Sequence, residues 1–237
     1  MKFYCFDIDG NILNLTTKMI LFHEQTRQEK EVDPKDLKLQ NKDYIVDMNG
    51  PMSSFRYFND RKRPFWKRYR PQNEYFYQDI LEILQSSRSS WQGPSWTNFV
   101  HAVKEGAPIS LITARGHRPQ TIKAGIDYLL NELKIAEKPL MDIYPVGHQN
   151  SMYQVTSHQN MTTSQLKGQA FGHFFQKAIQ QYGDTFEHTF GMSDDLQENL
   201  QEIKKVMLFC KRDFPHMKFF LYWAHNNQLI KEEVLIS

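Results

Sequence analysis

Residues 2–11 read KFYCFDIDGN, an apolar run from Lys2 to Phe6 followed at once by Asp7, Ile8, Asp9, Gly10 and Asn11. Phe3, Tyr4, Cys5 and Phe6 show no polar alternation, which marks a strand buried on both faces, as in a parallel sheet covered by helices. The two carboxylates then stand at its carboxyl end, the edge at which open α/β sheets bind ligands. Acids this close repel one another, so the arrangement is explained if a cation sits there or if one acid keeps its proton. Gly10 lets the chain turn away sharply. The same letters also suit an Asx-rich turn after a strand, and the rest of the chain has to decide between the two.

A length of 237 residues accommodates one large domain or a core with a smaller insert, and 40% hydrophobic with 24% charged residues is a globular composition. The acids at positions 7 and 9 interrupt the first apolar stretch, which argues against a secretory signal. No run approaches membrane-spanning length, so no membrane partner is expected, and the sparse cysteines make a reducing, cytoplasmic setting the default. Cys5 and Cys210 both sit among large apolar residues and suit buried thiols better than a disulfide. The nine histidines show no zinc-type spacing. A formal charge of +2 is too small to argue for nucleic acid by itself.

The next strand of the opening type is PISLIT, residues 108–113, and a long stretch of different character lies between. Within it, Lys18 to Val32 reads as a hairpin, Asp33 and Pro34 as the cap of a short helix, and Tyr44 to Met48 as a short strand ended by 49–51. A basic loop covers Arg61 to Arg70, helical spacing covers Asn73 to Leu84, and Ser86 to Ser95 reads as a Ser, Gly and Pro linker. From Trp96 the pattern is regular. Helices are expected over 96–105, 119–133, 163–182 and 196–212, alternating with strands 108–113, 141–146, 186–192 and 218–223. Strands separated by helices of this length imply right-handed crossovers and a parallel sheet, here of five strands with helices on both faces.

Three of these strands end in groups that one reaction could use. Thr113, with Ala114, Arg115 and Gly116, offers a hydroxyl and backbone N–H groups just before a helix, a seat for an anion, although a satisfied turn hydroxyl is the plainer use of such a threonine. Gly191 to Asp195, GMSDD, brings Asp194 and Asp195 to the edge occupied by Asp7 and Asp9. Four acids together call for a hard divalent cation, and Mg2+ prefers oxygen ligands. Helix N-capping accounts for SDD as well, but not for the first pair. Lys167 lies near the start of a long helix, where the dipole disfavours a cation unless an anion faces it.

DIDGN, LITARG, a helix-borne lysine and GMSDD, in that order, resemble the four motifs of the haloacid dehalogenase superfamily, over residues 1–14 and roughly 96–223. The paired-acid motifs carry the resemblance, and Asn11 stands where threonine is commoner in that family. The resemblance implies a Rossmann-like catalytic core of residues 1–14 and 96–237, with 15–95 inserted as a cap between the first and second core strands. It also implies a Mg2+-dependent phosphomonoester phosphatase. Asp7 would be the nucleophile that forms an aspartyl-phosphate, and Asp9 the general acid and base, its carbonyl touching the metal. Thr113, Ala114 and Lys167 would bind phosphoryl oxygens, while Asp194 and Asp195 complete the metal site with Asp7 and Asp9.

The insert holds RKRPFWKRYR, residues 61–70, with six basic and three aromatic residues and no acid. Such a mixture grips phosphates and stacks bases, or else forms a solvated loop anchored by its aromatics. Arg61, Lys62 and Arg63 are thus candidates for selecting the substrate, a small phosphorylated metabolite or nucleotide. Two other functions compete, a non-catalytic scaffold on the same fold and a nucleic-acid-binding protein.

Overall fold

The structure is a computed structural model that describes residues 1–34, 43–47, 53–135, 141–153, 155–156 and 160–236. Its centre is a six-stranded sheet in the order β6-β5-β1-β7-β8-β9. The strands are β1 (Lys2–Phe6), β5 (Ile109–Thr113), β6 (Met141–Pro145), β7 (Thr189–Asp194), β8 (Lys218–His225) and β9 (Gln228–Glu233). The first five run parallel, and β9 pairs antiparallel with β8. The sheet therefore has one strand more than the five expected. Asn226 and Asn227, both at positive φ, make the two-residue turn that brings β9 back. The strand itself, QLIKEE, is almost wholly exposed, so no buried face announces it in the sequence.

Side chains alternate across the sheet as the pleat requires. Phe3 and Cys5 join one apolar cluster with Phe171, Phe174, Ile203 and Met207, from α6 (Thr163–Tyr182) and α7 (Gln197–Asp213). Phe6, one step out of phase, joins the other cluster with Phe76, Phe99 and Ile122. These come from α1 (Tyr75–Leu84), α3 (Trp96–Lys104) and α4 (Pro119–Glu132). Phe3 stacks on Phe190, and Phe190 on Phe219, at ring separations of 4.5 and 5.6 Å, tying three neighbouring strands together. The opening strand, expected to be buried in a parallel sheet, lies between β5 and β7, and β5 lies between β1 and β6.

Between β1 and β5 the chain builds a separate antiparallel sheet, β3-β2-β4, from β2 (Met19–His23), β3 (Glu29–Val32) and β4 (Tyr44–Ile45). The short helix expected after Pro34 and the stop at 49–51 fall outside the described residues. The 86–95 stretch is not a free linker. It contains α2 (Arg88–Trp91), its Trp91 is buried with its ring 5.0 Å from that of the buried Trp96 just beyond it, and Gly93 and Ser95 donate to the carbonyls of Ile12 and Asn11. Two large aromatic surfaces outweigh the loop preference of the serines around them. β7 also begins later than expected, at Thr189 rather than Phe186, which is exposed, and runs on to Asp194.

Chain order places the site. From β1 the chain goes to β5 and β6 on one side, then crosses back to β7 and β8 on the other. The carboxyl ends of β1, β5 and β7 thus surround the point where strand order reverses, the crevice in which such sheets bind ligands.

Candidate functional site

Asp7, Asp194 and Asp195 each present an oxygen, all within 4.8 Å of one another, and Lys167 enters the same group from the first turns of α6. The Lys167 ammonium, 1% exposed, lies 2.7 Å from Asp194 Oδ2 and 3.0 Å from Asp7 Oδ2. These carboxylates are the anions that face a lysine near a helix amino end. Burial would lower the Lys167 pKa, but Asp194 and Asp7 outweigh it and hold the ammonium above its ordinary range.

The three acids are not equivalent. Both oxygens of Asp194 are used, Oδ1 by the Leu196 N–H and the Asn199 amide and Oδ2 by Lys167. Asp7 Oδ2 meets Lys167, whereas its Oδ1 is buried with no hydrogen-bond partner. An oxygen left so in a buried site carries a desolvation cost unless something arrives to meet it. Burial first, then Asp194, Asp195 and Asp9, raise the Asp7 carboxyl well above the usual range against the pull of Lys167. Asp195 is partly open and is pushed up to about 6 by burial and Asp194. One lysine does not balance three clustered acids, so the donor set fits a hard divalent cation bound through oxygen. Gly10, at φ +69°, leaves no room for more: a Cβ there would stand 2.7 Å from Asp195 Oδ2.

Asn11 locks the two acidic strand ends together. Its amide donates to the carbonyls of Asp7 and Ser193 and to Ser193 Oγ, and its oxygen accepts from Ser95. A threonine hydroxyl has one proton and could not serve three acceptors at once.

Asp9 is held apart from this group. Arg115 binds it with both prongs, Nε to Oδ2 at 2.8 Å and Nη2 to Oδ1 at 2.7 Å. The guanidinium is buried, with Phe58 and Phe76 each 5.1 Å from it, and also donates to Thr17 and Asp79. Its Nη1 reaches His117 Nε2 at 3.3 Å, while His117 Nδ1 faces Asp60 at 3.2 Å. Burial lowers the His117 pKa to about 4 despite Asp60. The imidazole is therefore neutral, donating from Nδ1 and accepting at Nε2. Arg115 was visible in the sequence only as part of a possible anion seat. Its role as the clamp on Asp9 depends on partners 36 to 106 residues away.

Asp79 gives this cluster a pH signature. Burial raises its carboxyl to about 6 from 3.8, although Arg115 and Thr17 pull it down. The folded chain then holds this proton more tightly than the unfolded chain, so the stability it contributes is present below about pH 4 and lost as pH rises to about 6. Thermal melts between pH 4 and 6 should show a steeper fall with rising pH for the native protein than for Asp79→Asn, and parallel curves would refute the assignment.

A cavity of about 740 Å³ opens onto these groups. Asp7, Asp9, Ala114, Arg115, Lys167 and Asp195 line it from the core side, and Ser53, Phe55, Phe58 and Asn59 from the insert. Gly116 is where the two sides touch: its N–H donates to the Phe58 carbonyl, and a Cβ would collide with Asn59. Thr113 is fully buried, its hydroxyl accepting from the Arg115 N–H at 3.3 Å, and it does not line the cavity, whereas Ala114, Arg115 and Gly116 after it do.

Arg61, Lys62 and Arg63 do not line the cavity. Arg63 pairs with the buried Glu74, which also takes the Arg61 N–H, and the Arg61 guanidinium lies 4.2 Å from the Tyr75 ring. Lys62 is exposed. Tyr69 anchors the loop through Thr121, while Phe65 and Trp66 are 97% and 70% exposed.

No helix among the described residues is long and apolar enough to cross a membrane. No family model, no curated protein and no solved structure matches this chain.

Proposed function

We propose that the chain is a Mg2+-dependent phosphomonoester hydrolase with a haloacid-dehalogenase-like core, working through an aspartyl-phosphate on Asp7. The observation that carries the reading is the unpartnered Asp7 Oδ1, at the meeting point of two other acids and a buried lysine. Lys167 fixes the other Asp7 oxygen and leaves this one to attack. In the first step Asp7 Oδ1 forms a bond to phosphorus, the bond from phosphorus to the alcohol oxygen breaks, and a proton from Asp9 goes to that oxygen. In the second, water attacks the same phosphorus, gives a proton to Asp9 and frees both inorganic phosphate and the Asp7 carboxylate. Both Asp9 oxygens lie on Arg115, so one of them has to turn from the guanidinium to handle the proton. Asp7, Asp194, Asp195 and the Asp9 carbonyl would hold Mg2+, which when bound supplies positive charge for the transferring phosphoryl oxygens. Lys167 adds to that charge, and the Ala114 backbone in the same cavity lining would offer an N–H donor.

In this reading β2, β3, β4 and the 53–60 segment act as a cap over the site. α1 and α2 belong to the same inserted stretch of 15–95, but their apolar side chains pack into the cluster under α3 and α4.

The test is phosphate release from p-nitrophenyl phosphate. Release is expected with Mg2+ and should stop with a chelator, and millimolar Mg2+ should raise the melting temperature, because an ion that binds only the folded acid cluster stabilises it. A protein that releases no phosphate and does not respond to Mg2+ would instead be the scaffold that the same fold could provide. The exposed Phe65 and Trp66 beside Lys62, Lys67 and Arg68 favour a second reading, a nucleic-acid contact by the 61–70 loop. It requires oligonucleotide binding that weakens steeply with salt.

A further inference from the structure

The cavity lining mixes two kinds of side chain, and this bears on what the phosphoryl group is attached to. Asp7, Asp9, Asp195 and Lys167 supply its charged groups, with Ser53, Asn59, Thr162 and Ser164 among the neutral polar ones. Phe55, Phe58 and Leu196 supply its large apolar side chains. Leu196 is the most telling of the three. It occupies the N-cap position of α7, where Ser, Thr, Asp or Asn is favoured, and is 58% exposed. Neither capping nor core packing accounts for a leucine there, and its side chain belongs to the cavity lining. Phe55 and Phe58 are half-buried, their rings 5.8 Å apart.

Charge limits the rest of the ligand. Lys167 and Arg115 are the cationic side chains among the described residues that line the cavity, and each is already held by two carboxylates. Glu198 adds a further acid to the lining. A second phosphate, a carboxylate or a polynucleotide backbone entering here would meet acids and no uncommitted cation among those residues. Desolvating an unpaired charge in this way is strongly unfavourable.

We propose that the site takes a phosphomonoester bearing one phosphoryl group on an uncharged, apolar alcohol with a flat aromatic face, seated between Phe55, Phe58 and Leu196. This rests on the hydrolase reading above. The cavity volume falls in the range that encloses a small organic molecule, and an alcohol of one or two rings fits beside the phosphoryl group. The charge of the lining disfavours nucleoside triphosphates and phosphorylated oligonucleotides.

The experiment compares benzyl phosphate, ethyl phosphate, 4-carboxybenzyl phosphate, ATP and a 5′-phosphorylated oligonucleotide by phosphate release at fixed Mg2+. Benzyl and ethyl alcohols are similar leaving groups, so their difference reports the wall and not the chemistry. Benzyl phosphate should exceed both ethyl and 4-carboxybenzyl phosphate at least tenfold in kcat/KM, mostly through KM. Leu196→Ser and Phe55→Ala should each shrink the benzyl-to-ethyl ratio severalfold while ethyl phosphate turnover persists. Equal rates on benzyl and ethyl phosphate would overturn the aromatic wall and leave the hydrolase standing, and so would an unchanged ratio in a folded Leu196→Ser. ATP or the oligonucleotide as best substrate would overturn the charge argument. No release from any ester would overturn the hydrolase reading itself, and this inference with it.

Discussion

Asp7→Asn is expected to lower phosphate release by on the order of 10⁴-fold or more, the scale seen when a catalytic nucleophile is removed. It should do so in a protein that melts no lower than the native one. The two halves of this result come from the same geometry. Asparagine keeps the shape and can still accept from Lys167, but its amide does not attack phosphorus. Burial and three neighbouring acids make the Asp7 charge unfavourable in the folded chain, so removing it relieves repulsion. Lys167 keeps Asp194 as its partner at 2.7 Å. A variant that retained turnover near the native rate would exclude Asp7 as nucleophile. One that lost turnover and unfolded would show that the buried Asp7–Lys167 pair is needed for the fold, and the kinetic loss would then say nothing of the chemistry. Comparing the two melts at pH 7 separates these outcomes.

Arg115→Met should have the largest effect on stability. Methionine fills much of the space between Phe58 and Phe76 but takes the guanidinium from Asp9, Asp79 and Thr17, although the Thr17 hydroxyl still donates to Asp79. Removing one partner of a buried ionic network typically costs about 3–5 kcal/mol. For a chain of this size that is a fall in melting temperature of roughly 6–20 °C. Arg115→Lys should recover only part of it, since an ammonium cannot span both Asp9 oxygens while also reaching Asp79. Because Phe58, Asp60 and Thr17 come from the insert and Asp9 from the core, the loss should also loosen the insert. Protease cleavage within 15–60 should accelerate more than the change in melting temperature alone accounts for. A melting temperature within about 2 °C of the native value would mean that this network contributes little net stability, as buried ion pairs sometimes do.

The parallel strands were readable because burial on both faces leaves an unmistakable local record. Phe3 to Phe6 and Ile109 to Thr113 contain almost nothing that water would tolerate, and the acids and the threonine that follow mark their ends. α6, expected over 163–182, spans Thr163–Tyr182, and the structure adds a Thr162 and Gln165 capping box at its start and Gly183 beyond its last turn. β9 was not, because an exposed edge strand is built from the residues that also make loops. The serines, Gly93 and Pro94 of 86–95 point the other way, to a linker, because they dominate the local pattern while the Trp91–Trp96 contact decides the packing. For the acids, sequence placed them on strand ends that share an edge, but could not say which oxygens were already engaged.

That division has a general cause. Hydrophobic period, turn chemistry and capping are set within a few residues, so the amino-acid order alone determined an α/β chain with a parallel centre and acidic residues at two strand ends. Partners chosen across the fold leave no such trace. Only the tertiary structure decided that Arg115 grips Asp9, that Arg63 is spent on Glu74 and does not face the cavity, and that one oxygen of Asp7 stands unmatched. The first depends on how the insert packs on the core, the second on the folding of the insert itself, and the third on the core acids and lysine gathered around Asp7; all three are properties of the assembled chain.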